Sequence, residues 1–245
     1  MKGWGKSRLR VNPKGAKWIE DAKKRAALEA VKHVKDGDII GLGSGSTAAY
    51  AIRQIGKKIE PKGWRILGVP TSHQAFLLAV DAGIPMTSLV EHPKLDLTID
   101  GADQIDADLN MIKGMGGALT REKIVSFASK RNIIVADETK LVKKLGTNHP
   151  VPLEVLSLAT TTVMSKIRKM GGKPVLREGK GKVGPVVTDN GNFIIDVDFG
   201  TIKYPDELDK KLKCISGVIE TGLFVDMADL IYIGTKTGVQ KLKKY

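Results

Sequence analysis

From Thr98 to Lys123 the chain reads TIDGADQIDADLNMIKGMGGALTREK, which holds four groups suited to moving protons: Asp100, Asp103, Lys113 and Glu122. Asp103 follows Asp100 across Gly101-Ala102, so a single turn can aim both carboxylates into one crevice. Close carboxylates resist joint ionisation, and one that keeps its proton beside one that has lost it supplies an acid and a base together. The plainer account is that aspartates in a D-G-x-D turn only cap backbone N–H groups, and it also suits Asp106 and Asp108. Lys113 stands in IKGMGG, too rich in glycine for a helix interior. A cation there would stabilise developing negative charge, or it would be solvated like most of the chain's 40 lysines and arginines. Glu122 falls in the first turn of TREKIVSF, where the helix dipole favours an acid whatever its function. Lys140, in ADETK, follows another strand end. Each residue alone says little. All five lie at or just past the carboxyl ends of expected strands, where open α/β sheets hold their ligands.

The second pattern is GLGSGST at 41–47, between an expected strand and an expected helix. Free N–H groups at a helix N-terminus, with hydroxyls beside them, bind anions; a tight turn capped by serine or threonine is the alternative. The glycine spacing Gly41, Gly43, Gly45 departs from a dinucleotide fingerprint, and the second strand ends in Val69-Pro70-Thr71 without the expected acid. No P-loop lysine is present. Ser44, Gly45, Ser46 and Thr47 therefore point to a small sugar or organic phosphate, not to NAD or ATP. The four histidines, His33, His73, His92 and His149, are scattered and have no metal-ligand spacing. No G-x-S-x-G elbow occurs. Carboxylates, a lysine and backbone amides remain, a set suited to proton transfer beside the carbonyl of a phosphorylated sugar.

These groups need a frame. Trp18 to Lys35 has helical periodicity; then DIIGL, WRILGVP, LDLTID and NIIVADE read as strands alternating with helices over about 145 residues. That alternation predicts a doubly wound, mostly parallel α/β sheet. From Pro150 the pattern changes to a helix, β-rich runs joined at Asn190-Gly191, and a helix near DELDKKLK, which predicts a second, smaller α+β domain. The expected division is residues 1–149 with 218–245 as the catalytic domain and 150–217 as the small one, with VIETGLF and DLIYIGT returning to the first domain.

The composition, 42% hydrophobic and 27% charged in 245 residues, is that of a globular protein. It contains neither a membrane-length apolar run nor the apolar core of a signal peptide. Cys214 is the single cysteine, which suits a reducing cytoplasm, and its place at a helix end reads as packing. The net charge of +13 is concentrated at the ends, with six basic residues and no acids in 1–18 and four and none in 236–245. With only 5% aromatics, the chain gives little reason to expect specific nucleic-acid binding.

GLGSGSTA, VPTS, TIDGAD, MIKGMGGALTREK, VADETKLV, PVPLEV and GPVVTDNGNFIIDV together resemble ribose-5-phosphate isomerase of type A, its archaeal branch above all, from about Ala22 to Gly238. The resemblance implies interconversion of ribose 5-phosphate and ribulose 5-phosphate without metal or organic cofactor, in a homodimer or homotetramer. It implies Glu122 as the base working through a cis-enediolate, with Asp100, Asp103 and Lys113 assisting ring opening and handling charge on the oxygens. It implies substrate contacts from Ser44, Gly45, Ser46, Thr47, Asp100, Gly101, Ala102, Asp103, Lys113, Gly114, Met115, Gly116, Glu122 and Lys140. Four residues depart from the family pattern: Ser44 for threonine, Gln104 for glutamate, Met115 inside the glycine loop and Gly117 for alanine. Two other classes stand beside the enzyme. A sugar-phosphate sensor would carry a helix-turn-helix segment, and only one helix precedes residue 36. An RNA binder would exploit the net charge.

Overall fold

The computed structural model describes residues 17–179, 181 and 183–244, so residues 1–16 of the basic N-terminal extension lie outside the described residues. α1 (Lys17–Val31) buries Ala22, Ala26, Ala27, Ala30 and Val31 along one face. Gly37, at φ +83, turns the chain into β1 (Ile39–Leu42). α2 (Gly45–Lys62), β2 (Leu67–Pro70), α3 (His73–Asp81) and β3 (Leu97–Asp100) follow. A hairpin of two-residue strands, β4 (Gln104–Ile105) and β5 (Met111–Ile112), leads to α4 (Leu119–Phe127) and β6 (Asn132–Asp137). The smaller α+β unit contains β7 (Val151–Val155), α5 (Thr160–Lys169), β8 (Lys173–Leu176), β9 (Phe193–Asp198) and α6 (Pro205–Lys213). β10 (Val218–Thr221), β11 (Leu223–Phe224), β12 (Leu230–Gly234) and β13 (Val239–Lys243) complete the described chain.

The large sheet runs β13-β12-β6-β3-β1-β2, parallel except for β13. All six residues of β6 are buried, the signature of a strand covered on both faces. The antiparallel edge β13 carries Lys241 and Lys243, which discourage pairing with another chain. From β1 the chain moves outward to β2, then crosses back over β1 to β3. Connections leaving β1 and β3 thus diverge, opening a crevice at their carboxyl ends. This is the doubly wound architecture expected from the alternating pattern.

The small sheet, β10-β7-β9-β8, is antiparallel throughout. It is joined to the large one by a shared core, in which Ile194 of β9 packs with Ile134, Ile231 and Ile233. The turn expected at Asn190-Gly191 is present, with Gly191 at φ +79 and Thr188 N donating to Asn192 O at 2.8 Å.

Two expectations need correction. VIETGLF, expected to return to the first domain, divides: Val218–Thr221 pairs with β7 of the small sheet, and Leu223–Phe224 pairs with β5 of the hairpin that follows β3. The cause is Gly222, whose N–H donates to Pro152 O at 2.7 Å and whose carbonyl accepts from Lys113 N at 2.9 Å. A Cβ at Gly222 would meet the Lys113 carbonyl oxygen at 2.4 Å. Cys214, expected to pack, is exposed at the C-terminal end of α6.

Candidate active site

The crevice between β1 and β3 opens as a cavity of about 270 Å³. Its floor depends on glycine. Gly43 N donates to Ile99 O at 3.0 Å, and a Cβ on Gly43 would lie 2.2 Å from Asp100 Oδ1, so only a hydrogen lets the two strand ends approach. Asp100, 2% exposed, lies beneath the cavity and not in its lining. Its Oδ1 accepts from Ser44 N at 3.0 Å and Gly101 N at 2.7 Å, and its Oδ2 is 3.0 Å from Lys113 Nζ.

Lys113 is not a solvated loop lysine. It follows β5 directly, its N–H is held by Gly222, and it is 4% exposed. Its ammonium donates to Gly101 O at 2.6 Å and lies between Asp100 and Glu122, whose Oε2 is 3.2 Å away. It also stands over the ring of Phe224, 5.3 Å from the centroid. Burial works against the charged ammonium, but Asp100 and then Glu122 outweigh it and raise the Lys113 pKa above the ordinary lysine value.

Glu122, 6% exposed, reaches the cavity from the start of α4. Its Oε2 meets the Lys113 ammonium as an ion pair, without the alignment of a hydrogen bond. Burial raises its pKa above the ordinary glutamate range; Lys113 opposes the rise, and Asp100 and Asp103 add to it. The sequence reading sought its acid and base in the Asp100–Asp103 pair. Beside that pair, burial raises the proton affinity of Glu122. Asp103 lines the cavity, with Oδ2 accepting from Met115 N at 2.9 Å.

The raised pKa has a kinetic consequence. A reaction that needs Glu122 ionised gains rate as pH rises through that pKa, so the acid limb of kcat/KM lies above the ordinary glutamate value. Asp100→Asn removes a charge that pushes this pKa up, and the limb is expected to move to lower pH. A profile that stays put or moves upward contradicts the arrangement.

The glycine loop borders the same cavity. Ser44, Gly45, Ser46 and Thr47 all line the cavity at the N-terminus of α2, where backbone N–H groups lack intrahelical acceptors. The Ser44 hydroxyl is engaged within the protein, 2.8 Å from Thr71 Oγ1 and donating to Ser72 Oγ at 2.6 Å. Gly101, Ala102, Gly114, Gly116 and Lys140 also face the cavity. Met115 does not: its side chain is 46% exposed, and its carbonyl accepts from Arg177 Nη1 at 3.0 Å, as does that of Gly114 at 2.9 Å. Its backbone N–H is the group turned toward the site, donating to Asp103 Oδ2 at 2.9 Å.

The remaining departures have structural reasons. Gln104 donates to Thr147 O at 2.8 Å and accepts from Gly146 N at 2.9 Å, a double role a carboxylate cannot fill. Gly117 takes φ +75, which favours glycine over alanine. Asp106 is a turn cap, accepting from the N–H groups of Asp108 at 3.0 Å and Asn110 at 2.8 Å.

Several lining residues escaped the sequence reading. Lys23 comes from α1, paired with Glu20 at 2.8 Å, which also accepts from Tyr50 of α2. Gln74 accepts from Gly45 N at 2.9 Å. Val186, Val187, Thr188 and Asp189 reach in from the small unit. Nothing local in the sequence marks them; long-range pairing brings them there. Among the described residues, no three histidine, cysteine or acidic side chains gather as a metal-ligand set. Nor is any described helix long and apolar enough to cross a membrane.

A model of the ribose 5-phosphate isomerase A (phosphoriboisomerase A) family matches residues 67–238. The ribose-5-phosphate isomerase A of Methanosarcina acetivorans is 51% identical over 220 residues, 90% of this chain and 93% of that protein. The solved ribose 5-phosphate isomerase A of Methanocaldococcus jannaschii matches with a TM-score of 0.89 at 46% identity, over 92% of this chain and 99% of that one. A D-ribose-5-phosphate isomerase solved in complex with phospho-erythronic acid matches over the same shares, with a TM-score of 0.90 and 46% identity.

Proposed function

The chain belongs to the ribose 5-phosphate isomerase A family, and from that premise we propose that it interconverts D-ribose 5-phosphate and D-ribulose 5-phosphate. The observation that carries this reading is the placement of Glu122, buried against Lys113, in the same cavity that the loop Ser44–Thr47 lines. Glu122 takes the hydrogen from C2 of the open-chain aldehyde and delivers it to C1, so that a cis-enediolate lies between the two sugars. Lys113 balances the negative charge that develops on the oxygens at C1 and C2, and Asp100 holds Lys113 in place. A base whose pKa is raised from the glutamate range accepts a proton more readily than an ordinary carboxylate, which suits abstraction beside a carbonyl. Asp103 assists ring opening and proton handling at the sugar oxygens.

The phosphate sits against the N-terminus of α2, with Ser46, Thr47 and the cations Lys23 and Lys140 around it. This assigns substrate contact to the cavity-lining members of the predicted set, with Asp100 acting from behind. In this scheme the protein's own residues perform each step, and no metal or organic cofactor is required.

Exposed Phe76, Leu77 and Val80 on α3, with Ile124 and Phe127 on α4, supply apolar surface for the homodimer or homotetramer expected from the sequence. A cytoplasmic setting agrees with the single free cysteine.

The direct test is incubation with ribose 5-phosphate in EDTA while ketose formation is followed. Ribulose 5-phosphate is expected to accumulate to equilibrium. An absence of ketose, or a rate that collapses under chelation, counts against the proposal.

A further inference from the structure

Glu154, in the middle of β7, is 0% exposed and makes no ion pair among the described residues. A carboxyl withdrawn from water is costly unless its oxygens are hydrogen-bonded, and this one accepts from four neutral donors. Oε1 takes Thr188 Oγ1 at 2.8 Å, Asn190 Nδ2 at 3.0 Å and Asn192 Nδ2 at 2.8 Å, all from the turn that follows Val187. Oε2 takes Thr120 Oγ1, on α4 two residues before Glu122. Each carboxylate oxygen thus serves a different element.

Both elements face the cavity. Thr188, Asp189 and Glu122 all line it. The turn is fastened a second time from outside: Arg121 donates to Asn190 Oδ1 at 2.7 Å and to Asp189 O at 2.8 Å. Asp189 Oδ2 in turn accepts from His73 N at 2.7 Å, closing the turn against the start of α3.

We infer that Glu154 is a positioning residue, whose carboxylate fixes the Thr188–Asn192 turn to the first turn of α4 and so sets the separation between the cavity wall and Glu122. The inference rests on the isomerase reading. Glu154 acts through Thr120 and the turn and needs no contact with the sugar. Its hydrogen bonds matter more than its charge, because every partner is neutral. Glutamine can therefore replace it: the amide oxygen keeps the three turn donors, and the Thr120 hydroxyl rotates to accept from the amide nitrogen. Methionine, similar in volume, leaves all four donors without their acceptor.

The test compares wild type, Glu154→Gln, Glu154→Met and Thr188→Val in turnover of ribose 5-phosphate across pH, with unfolding midpoints measured alongside. Glu154→Met is expected to lower kcat/KM by about 10- to 100-fold, the scale of a misplacement of about 1 Å. Its acid limb should move to lower pH, because water admitted to Glu122 relieves the burial that raises its pKa. Glu154→Gln should stay within about threefold of wild type. Thr188→Val, which removes one of the three bonds from the turn to Glu154 and leaves those of Asn190 and Asn192 in place, should raise KM several-fold with a smaller change in kcat. It decides the matter if Glu154→Met does not fold. A Glu154→Met enzyme with reduced stability but wild-type kcat/KM and acid limb overturns the inference. So does a Glu154→Gln enzyme as damaged as Glu154→Met, or a Thr188→Val enzyme with unchanged KM. A wild type inert toward ribose 5-phosphate refutes the isomerase assignment itself, and the inference with it.

Discussion

Replacing Glu122 with glutamine is expected to lower kcat by about 10²- to 10⁴-fold, the span of positioned general acid–base catalysis, while substrate binding stays largely intact. Glutamine matches glutamate in shape, so the first turn of α4 and the packing around Lys113 are preserved. The lost property is the ability to take a proton from carbon. The groups assigned to the phosphate, at Ser44–Thr47, Lys23 and Lys140, lie on other elements and are untouched. Calorimetric binding of ribose 5-phosphate beside steady-state kinetics separates the two effects. A variant that turns over at near the wild-type rate removes Glu122 from the role of base. One that fails to bind makes it a binding residue.

Lys113→Met has the other large expected effect, and it reaches both stability and rate. The ammonium lies between two buried carboxylates, 3.0 Å from Asp100 and 3.2 Å from Glu122. Removing one partner of a buried ion pair leaves uncompensated charge and costs about 3–5 kcal/mol, a large part of a typical domain's ~5–15 kcal/mol. The chain's response is to bind a proton. Lys113 lowers the Glu122 pKa, so its loss raises that pKa further above the unfolded value. Folding then takes up protons, and stability is greatest below the unfolded glutamate pKa and falls as pH rises through the folded one. Denaturant unfolding of Lys113→Met should therefore show a deficit that grows with pH and shrinks in the Lys113→Met, Asp100→Asn double variant. Turnover should fall by at least about 10²-fold, with the acid limb displaced upward. A variant as stable as wild type at neutral pH, with normal turnover, contradicts the buried cluster.

What could be read ahead of the structure followed a physical division. β1, β3 and β6 are short, largely apolar and fully or nearly fully buried runs ending at Gly, Asp or Asp-Glu, so their identity and the chemistry at their ends were legible locally. Gly43 belonged to a recognisable loop, yet the close approach to Asp100 that requires it depends on two strands 56 residues apart, between which Ser44 N donates to the Asp100 carboxylate. Lys113 looked like any lysine among glycines, because part of what holds and surrounds it comes from more than a hundred residues later: Gly222, which accepts from its N–H, and the Phe224 ring beside its ammonium. The same non-locality hid Lys23, Arg177 and the Val186–Asp189 wall. The two pairings of VIETGLF were hidden for a related reason. Its β-rich composition identifies a strand but not the sheet it joins, and that choice is made by Gly222 hydrogen-bonding to both Lys113 and Pro152. The family resemblance conveyed the roles of Glu122, Asp103 and Lys113 as a set; composition and spacing alone left each of them open.

If a buried carboxyl passes a hydrogen between C2 and C1, isotope wash-in reads that transfer directly. Ribose 5-phosphate is equilibrated in D₂O through many turnovers with wild type or Glu122→Gln, and the sugars are examined by NMR. With wild type, deuterium is expected at C2 of the aldose and at C1 of the ketose, and with Glu122→Gln at neither position over the same time. Full interconversion by the wild type with no deuterium at either carbon, or equal wash-in by the glutamine variant, contradicts it.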